Sequence, residues 1–286
     1  MREPQDFNTK NKPTWCPGCG DYGIWAALKN AFIQMGWGTD DAFIVYGIGC
    51  HGHMVNFLKI YGFEGLHGRP IPVAVGAKLA NHKLKVIVVT GDGDSYGEGL
   101  NHLTAAIRAN YDLTCIVHNN QVYGLTIGQK SPTADKGFKS KSTPQGTIET
   151  PINPLALAIA LEGSFISRGF AGDMEHLTKL IIDGVNHQGF SLIDVLQPCV
   201  TFDKVHTYPW YRERIYKLES GNYQPQDKLK AFELALEWGT KIPTGIFYKD
   251  ETRPTYEQNL PQLANQAMVE RDISNISIDK LLDEFS

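Results

Sequence analysis

With 286 residues, 42% of them hydrophobic and 20% charged, the chain has the balance of an ordinary globular protein and enough length to bury a substantial core. A formal net charge of −4 leaves no basic footprint for nucleic acid or for an anionic membrane surface. The polar, proline-containing start (residues 1–14) has no signal-peptide run, and no stretch reaches the roughly 18 apolar residues of a bilayer span, so the expectation is a cytoplasmic protein with reduced thiols.

Apolar spacing predicts a helix over Tyr22 to Met35, then a short buried strand over Ala42 to Tyr46. A helix over Pro72 to Asn81 leads into the β-branched run Lys85 to Val89, and a helix over Gly99 to Ala109 into the apolar strand Leu113 to Val117. Gly172 to His187 and Phe190 to Leu196 repeat the order. Continuous apolar strands alternating with helices predict a doubly wound α/β fold, a mostly parallel sheet covered on both faces. Gln129 to Thr150, rich in Lys, Ser, Thr, Gly and Pro, reads as a long surface loop or lid. The alternation stops after Pro198. Residues 1–200 therefore read as one domain, and 201–286 as an extension packed on that core or on a partner.

The strand at Val86 to Val89 runs into Thr90-Gly91-Asp92-Gly93-Asp94-Ser95, with a helical pattern from about Gly97. Glycines and acids thus sit at the carboxyl end of a parallel strand, where doubly wound sheets bind ligands. Glycine lets the backbone approach a diphosphate, and the turn amides can donate to it. Asp92 would repel such a polyanion unless a cation lies between them. Mg²⁺ is suited to that place, taking a carboxylate, a carboxamide oxygen, a carbonyl and phosphate oxygens. The next strand ends in His118-Asn119-Asn120-Gln121-Val122, so Asp92 and Asn120 would emerge at one sheet edge. A dinucleotide fingerprint is the competing reading, but the third glycine (Gly97) is misplaced and the second strand ends in asparagine. A purely structural glycine turn is the other.

Cys16 and Cys19 form a C-x-x-C turn, Cys50 follows the strand at Ala42 to Tyr46, and Cys199 follows the strand at Phe190 to Leu196. These places are consistent with one edge of the sheet, and four thiolates there could hold zinc or an iron–sulfur cluster. A redox dithiol ahead of the helix from Tyr22 is a further reading. His51 and His53 do not match the ligand order of mixed Cys/His iron–sulfur sites and read as polar residues lining the site. Cys115 lies within a strand and reads as a buried, inert thiol.

The segment Gly91-Asp92-Gly93 followed by Asn119-Asn120 resembles the thiamine diphosphate motif. The resemblance implies that Asp92, Asn120 and the backbone carbonyl of Val122 hold Mg²⁺. Adding Cys16 to Gly20, Gly47-Ile48-Gly49-Cys50, Leu66 to Pro72, Asn120 to Thr126 and Pro198-Cys199, the chain is similar to the β subunits of 2-oxoacid:ferredoxin oxidoreductases over roughly residues 13–200. By that similarity Cys16, Cys19, Cys50 and Cys199 hold a 4Fe–4S cluster. Gly49, Cys50, Gly91, Gly93, Asp94, Gly124, Leu125 and Thr126 would line the cofactor, and His67 would stand beside it as proton donor or hydrogen-bonding group. Several relatives carry lysine where this chain has Ile127, so no role of that lysine transfers.

The resemblance implies a CoA-dependent oxidative decarboxylation of a 2-oxoacid. Thiamine diphosphate would supply the electron sink, coenzyme A would take the acyl group, and electrons would leave through the cluster to ferredoxin. The overall likeness points to 2-oxoglutarate, with pyruvate or a broad range of 2-oxoacids as the alternative. A second alternative is a non-redox thiamine diphosphate decarboxylase or synthase subunit with structural zinc, and a third is a non-catalytic assembly protein. Thiamine enzymes take a glutamate from a pyrimidine-binding domain for which this chain has little room. The resemblance thus implies a larger α subunit, in a dimer of αβ heterodimers, and a chain inactive alone.

Overall fold

The computed structural model describes residues 2–274 and 277–285. In chain order the main elements are α1 (Asp21–Gln34), β1 (Phe43–Tyr46), β2 (Tyr61–Glu64), α2 (Pro70–Ala80), β3 (Val86–Gly91), α3 (Leu100–Ala109) and β4 (Thr114–Asn119). A small ribbon of β5 (Val122–Tyr123) and β6 (Gln129–Lys130) follows, then α4 (Pro154–Ala160), β7 (Phe165–Phe170), α5 (Met174–Asn186) and β8 (Ser191–Leu196). The last part carries α6 (Tyr208–Arg212), β9 (Ile215–Lys217), α7 (Lys228–Ala235) and β10 (Ile242–Lys249).

Eight strands form one sheet in the order β2-β1-β3-β4-β8-β7-β10-β9. All neighbours are parallel except β10 with β7. This is the expected mostly parallel, two-faced α/β sheet, and the strand residues show why it forms. On β3, Ile87 and Val89 pack into the core shared with α1 and α5, while Val86 and Val88 face α2, α3, α4 and α7. Both faces are dry, so β3, β4, β7 and β8 are buried at every position and need no polar side. Each fully buried Leu, Ile or Val contributes roughly 1.5–3 kcal/mol of burial free energy.

Residues beyond 200 do not stay outside this core. β10 enters the sheet beside β7, with a register irregularity between Ile246 and Tyr248, and its Phe247 is fully buried. The expected long loop between Gln129 and Thr150 also does more than cover the surface: it starts as β6, and Ser131, Thr133, Ala134 and Thr147 are buried. Among the described residues no helix is long and apolar enough to cross a membrane.

Candidate functional site

β3 and β4 are parallel neighbours with Gly91 opposite His118, so both strands end at one edge of the sheet. Past Gly91 the chain makes a single π turn over Gly93–Glu98 before α3 begins, closed by the Gly99 amide donating to the Asp94 carbonyl at 2.8 Å. Such wide turns recur at functional sites because they re-aim side chains out of a regular helix. Gly93 is required here, since a Cβ would stand 2.3 Å from the Tyr123 ring.

The turn plants Asp92 in the interior, 2% exposed. Three donors converge on its Oδ2: the Gln121 amide at 2.9 Å, Ser131 Oγ at 2.5 Å and Thr133 Oγ1 at 2.8 Å. Burial still outweighs them and pushes its carboxyl up to about 6. A buried carboxylate with no cationic partner is costly, and a cation beside it would offset that cost. Asn120 is half-buried at the end of β4. Its Oδ1 accepts from the Val122 amide at 3.0 Å and its Nδ2 donates to Gln197 Oε1 at 3.3 Å. Between them Gln121 takes a left-handed backbone with φ 64°, which turns the chain sharply and costs about 1 kcal/mol or more for a non-glycine residue. The oxygen donor set of carboxylate, carboxamide and turn carbonyl fits Mg²⁺.

Ser131 and Thr133, which clamp Asp92, belong to a loop segment that shares the family similarity, but the sequence gives them no role. They lie in a polar loop more than thirty residues downstream, and only the folding of that loop brings them in. Asn119, the other member of the asparagine pair, turns the opposite way. It donates to Asp194 Oδ1 at 3.0 Å, and Thr133 Oγ1 reaches its Oδ1 at 2.9 Å.

A cleft opens beside Asp92. Its walls include Gly49, Cys50, His67, Gly91, Gly93, Asp94, Val122, Leu125 and Thr126, all residues anticipated for cofactor binding, together with His51 and Tyr123. Its enclosed free space is only about 50 Å³, against the roughly 300 Å³ or more that a drug-sized ligand occupies. Asp94 lines the cleft, yet its carboxylate also ties three turns together: Oδ1 accepts from the Gly68 amide at 2.7 Å and the Ile48 amide at 3.4 Å, and Oδ2 accepts from Thr90 Oγ1 at 2.7 Å. Its pKa is raised, with burial the largest cause. His67 is partly exposed at the rim, with Nδ1 3.1 Å from Asp94 Oδ1. His51 is 5% exposed, and burial pushes its imidazole well below the usual range, so the ring is neutral. It packs against His118, whose Nδ1 lies 2.7 Å from Asp21 Oδ1.

The four cysteines gather beside this cleft. Cys50 lines it, and a Cβ on Gly124 would lie 3.4 Å from Cys50 Sγ and 3.9 Å from Cys199 Sγ. Cys19 Sγ is 3.2 Å from Asp21 Oδ2 and 3.5 Å from Gln197 Nε2. Burial, then Asp21, then Cys199 and Cys16 push the Cys50 thiol up to about 12. Burial and Asp21 raise Cys19 further, with Cys199 adding to the effect. Cys19 and Cys50 thus resist ionisation, and a cationic centre beside them would favour their thiolates. Among the described residues no three His, Cys, Asp or Glu side chains meet closely enough to hold a single metal ion. One zinc needs its sulfurs about 2.3 Å from a common point, whereas an iron–sulfur cluster spreads its ligands around a larger body. Four thiols are a donor set that either group takes. Cys115 lies in β4, fully buried and apart from the others.

Known proteins resemble the chain along its length. The family model described as thiamine pyrophosphate enzyme, C-terminal TPP binding domain matches residues 47–195. A second family model, for the C terminal part of the pyruvate ferredoxin oxidoreductase beta subunit, matches residues 199–265. The β subunit of 2-oxoacid:ferredoxin oxidoreductase 1 from Aeropyrum pernix is 43% identical over 266 residues, 90% of this chain and 84% of that protein. The corresponding subunit from Saccharolobus solfataricus is 45% identical over 260 residues, 87% of this chain and 85% of the relative. The 2-oxoglutarate oxidoreductase subunit KorB of Mycobacterium tuberculosis is 40% identical over 199 residues, 70% of this chain and 53% of that one. A solved structure, 2-oxoglutarate:ferredoxin oxidoreductase from Magnetococcus marinus with 2-oxoglutarate, coenzyme A and succinyl-CoA bound, superposes with a TM-score of 0.91 at 32% identity. It covers 100% of this chain and 96% of that one.

Proposed function

The chain belongs to the β subunits of 2-oxoacid:ferredoxin oxidoreductases, and from that premise we propose that it serves the conversion of 2-oxoglutarate and coenzyme A to succinyl-CoA and CO₂. Per turnover two electrons and a proton are released, the electrons passing singly to two ferredoxins. When bound, thiamine diphosphate supplies the electron sink for decarboxylation and the 4Fe–4S cluster the one-electron acceptor.

The residues of this chain hold and orient. Asp92, Asn120 and the Val122 carbonyl would hold the Mg²⁺ that the diphosphate needs, and Ser131 and Thr133 keep the Asp92 carboxylate aimed. Gly91 and Gly93 let the backbone come close, Gly49, Asp94, Leu125 and Thr126 complete the wall, and Gly124, outside that lining, lies against the Cys50 and Cys199 sulfurs. His67 offers a hydrogen bond at the rim. Cys16, Cys19, Cys50 and Cys199 carry the cluster. The observation that carries this reading is that Asp92 and Cys50 face one cleft, so a cofactor held at the first lies against a ligand of the second.

A cleft with so little enclosed space calls for a second wall, and we assign that to an α subunit in a dimer of αβ heterodimers working in the reducing cytoplasm. The substrate rests on the names of the KorB relatives and of the structural neighbour. Pyruvate or broad-range use is the competing outcome. Anaerobic co-purification with the α subunit, followed by a 2-oxoacid panel with coenzyme A and a low-potential acceptor, separates them. The complex should prefer 2-oxoglutarate, and the isolated, reconstituted chain should turn over none. Iron and sulfide analysis should find about four of each per chain; zinc in their place would mark a non-redox subunit.

A further inference from the structure

A second cavity, of about 260 Å³, lies on the other side of the Asn119–Gln121 turn, roofed by the start of α4 and the end of α7. Ile152, Pro154, Ala235 and Trp238 give it apolar walls, and Arg168 and Gln121 are two of its several polar residues. These two are almost completely buried, at 3% and 2% exposed. Each carries a buried atom with no hydrogen-bond partner, Arg168 Nη1 as a donor and Gln121 Oε1 as an acceptor. Native interiors rarely leave such groups unpaired, and one of each kind at one cavity asks for a ligand with a complementary pair.

Charge decides which ligand. Arg168 already donates through Nε to Asp194 Oδ2 at 3.4 Å. Asp135 at the cavity accepts from Trp238 Nε1 at 3.2 Å, and its Oδ2 lies 3.1 Å from His206 Nε2. Asp203 holds the other nitrogen of His206 at 2.7 Å. Three carboxylates against one guanidinium and one imidazolium leave no spare positive charge for an anion. A neutral ligand is favoured.

We propose that this cavity binds a small, flat, uncharged molecule of the primary carboxamide class, its carbonyl accepting from Arg168, its N–H donating to Gln121 and its ring lying against Trp238. The cavity shares Thr133 and Asn119 with the network around Asp92 but has no lining residue in common with the cleft that Asp92 lines. It is therefore a site apart from the one assigned above, and it stands without that assignment.

Calorimetric titration of the anaerobically purified complex with nicotinamide and with nicotinate tests this, the two probes differing only in amide against carboxylate. Nicotinamide should bind one per β subunit and at least tenfold more tightly than nicotinate. Ala235→Met, which fills the cavity from α7, and Gln121→Met, which removes the acceptor, should each weaken nicotinamide at least tenfold while far-UV circular dichroism is unchanged. Equal binding of the two probes, binding undiminished in Ala235→Met, or a crystal grown at saturating nicotinamide that shows ordered water only would overturn the proposal.

Discussion

At Asp92 the decisive balance is between burial, which favours the neutral acid, and the donors on Oδ2, which favour the anion. A bound divalent cation would tip it to the anion. Asp92→Ala should therefore weaken Mg²⁺-dependent thiamine diphosphate binding by at least hundredfold, measured by calorimetry. Thr133→Val, which removes only a supporting hydroxyl, should cost roughly 10–100-fold. Equal losses would mean that Thr133 touches the metal or ligand itself. His206 shows the opposite titration. Burial lowers it, but hydrogen bonds to Asp135 and Asp203 outweigh burial and hold it up at about 9. A base whose folded pKa exceeds its unfolded value near 6.5 adds stability in full below 6.5 and loses it as pH rises through 9. Chemical denaturation should show a decline on the order of 3 kcal/mol over that window. His206→Gln should flatten the slope.

Elements that obey a simple period were legible in the sequence, and those that break it were not. β3 and β4 are continuous apolar runs, and α1, α3 and α5 keep helical spacing, so their positions agree with expectation to within a few residues. β7 hides because Ser167, Arg168 and Gly169 interrupt it; Arg168 is tolerated in the core by its bond to Asp194. β10 hides because Pro243 and Gly245 argue against a strand. Gly245 adopts φ 121° there, close to the register irregularity at Ile246. β2 is an exposed edge strand paired with β1. At the site, Asp92, Asn120 and the cysteines stand out in the sequence because each follows a recognisable strand or forms a short motif. Ser131 and Thr133 do not, because their role depends on a loop folding back. If β10 is integral, Phe247→Ala should cost about 3–5 kcal/mol in unfolding free energy, as a large core truncation does. A loss below about 1 kcal/mol would make the extension an accessory layer.

Over the whole molecule the apolar side chains left in water are unevenly placed. Tyr61, Phe63 and Leu66 run up to His67 at the rim of the cleft, and Leu125 and Ile127 stand near its wall, all between 47% and 78% exposed. Apolar side chains exposed around one cleft are suited to contact with another chain. Hydrogen exchange in residues 61–67 and 123–128 should slow at least tenfold when the α subunit binds, while α5 on the sheet's other face stays unchanged. Uniform slowing would instead report general stabilisation. The strand order has a further consequence, for synthesis. Every residue assigned to cofactor or cluster, from Cys16 to Cys199, leaves the ribosome before β10, which must then come in beside β7 to finish the sheet. At about 5–20 residues per second the stretch from Cys199 to Lys249 takes several seconds to emerge. During that interval the outer edge of β7 is a nascent chain's open template for strand pairing, so cellular yield should depend on elongation speed and chaperone supply through this last stretch.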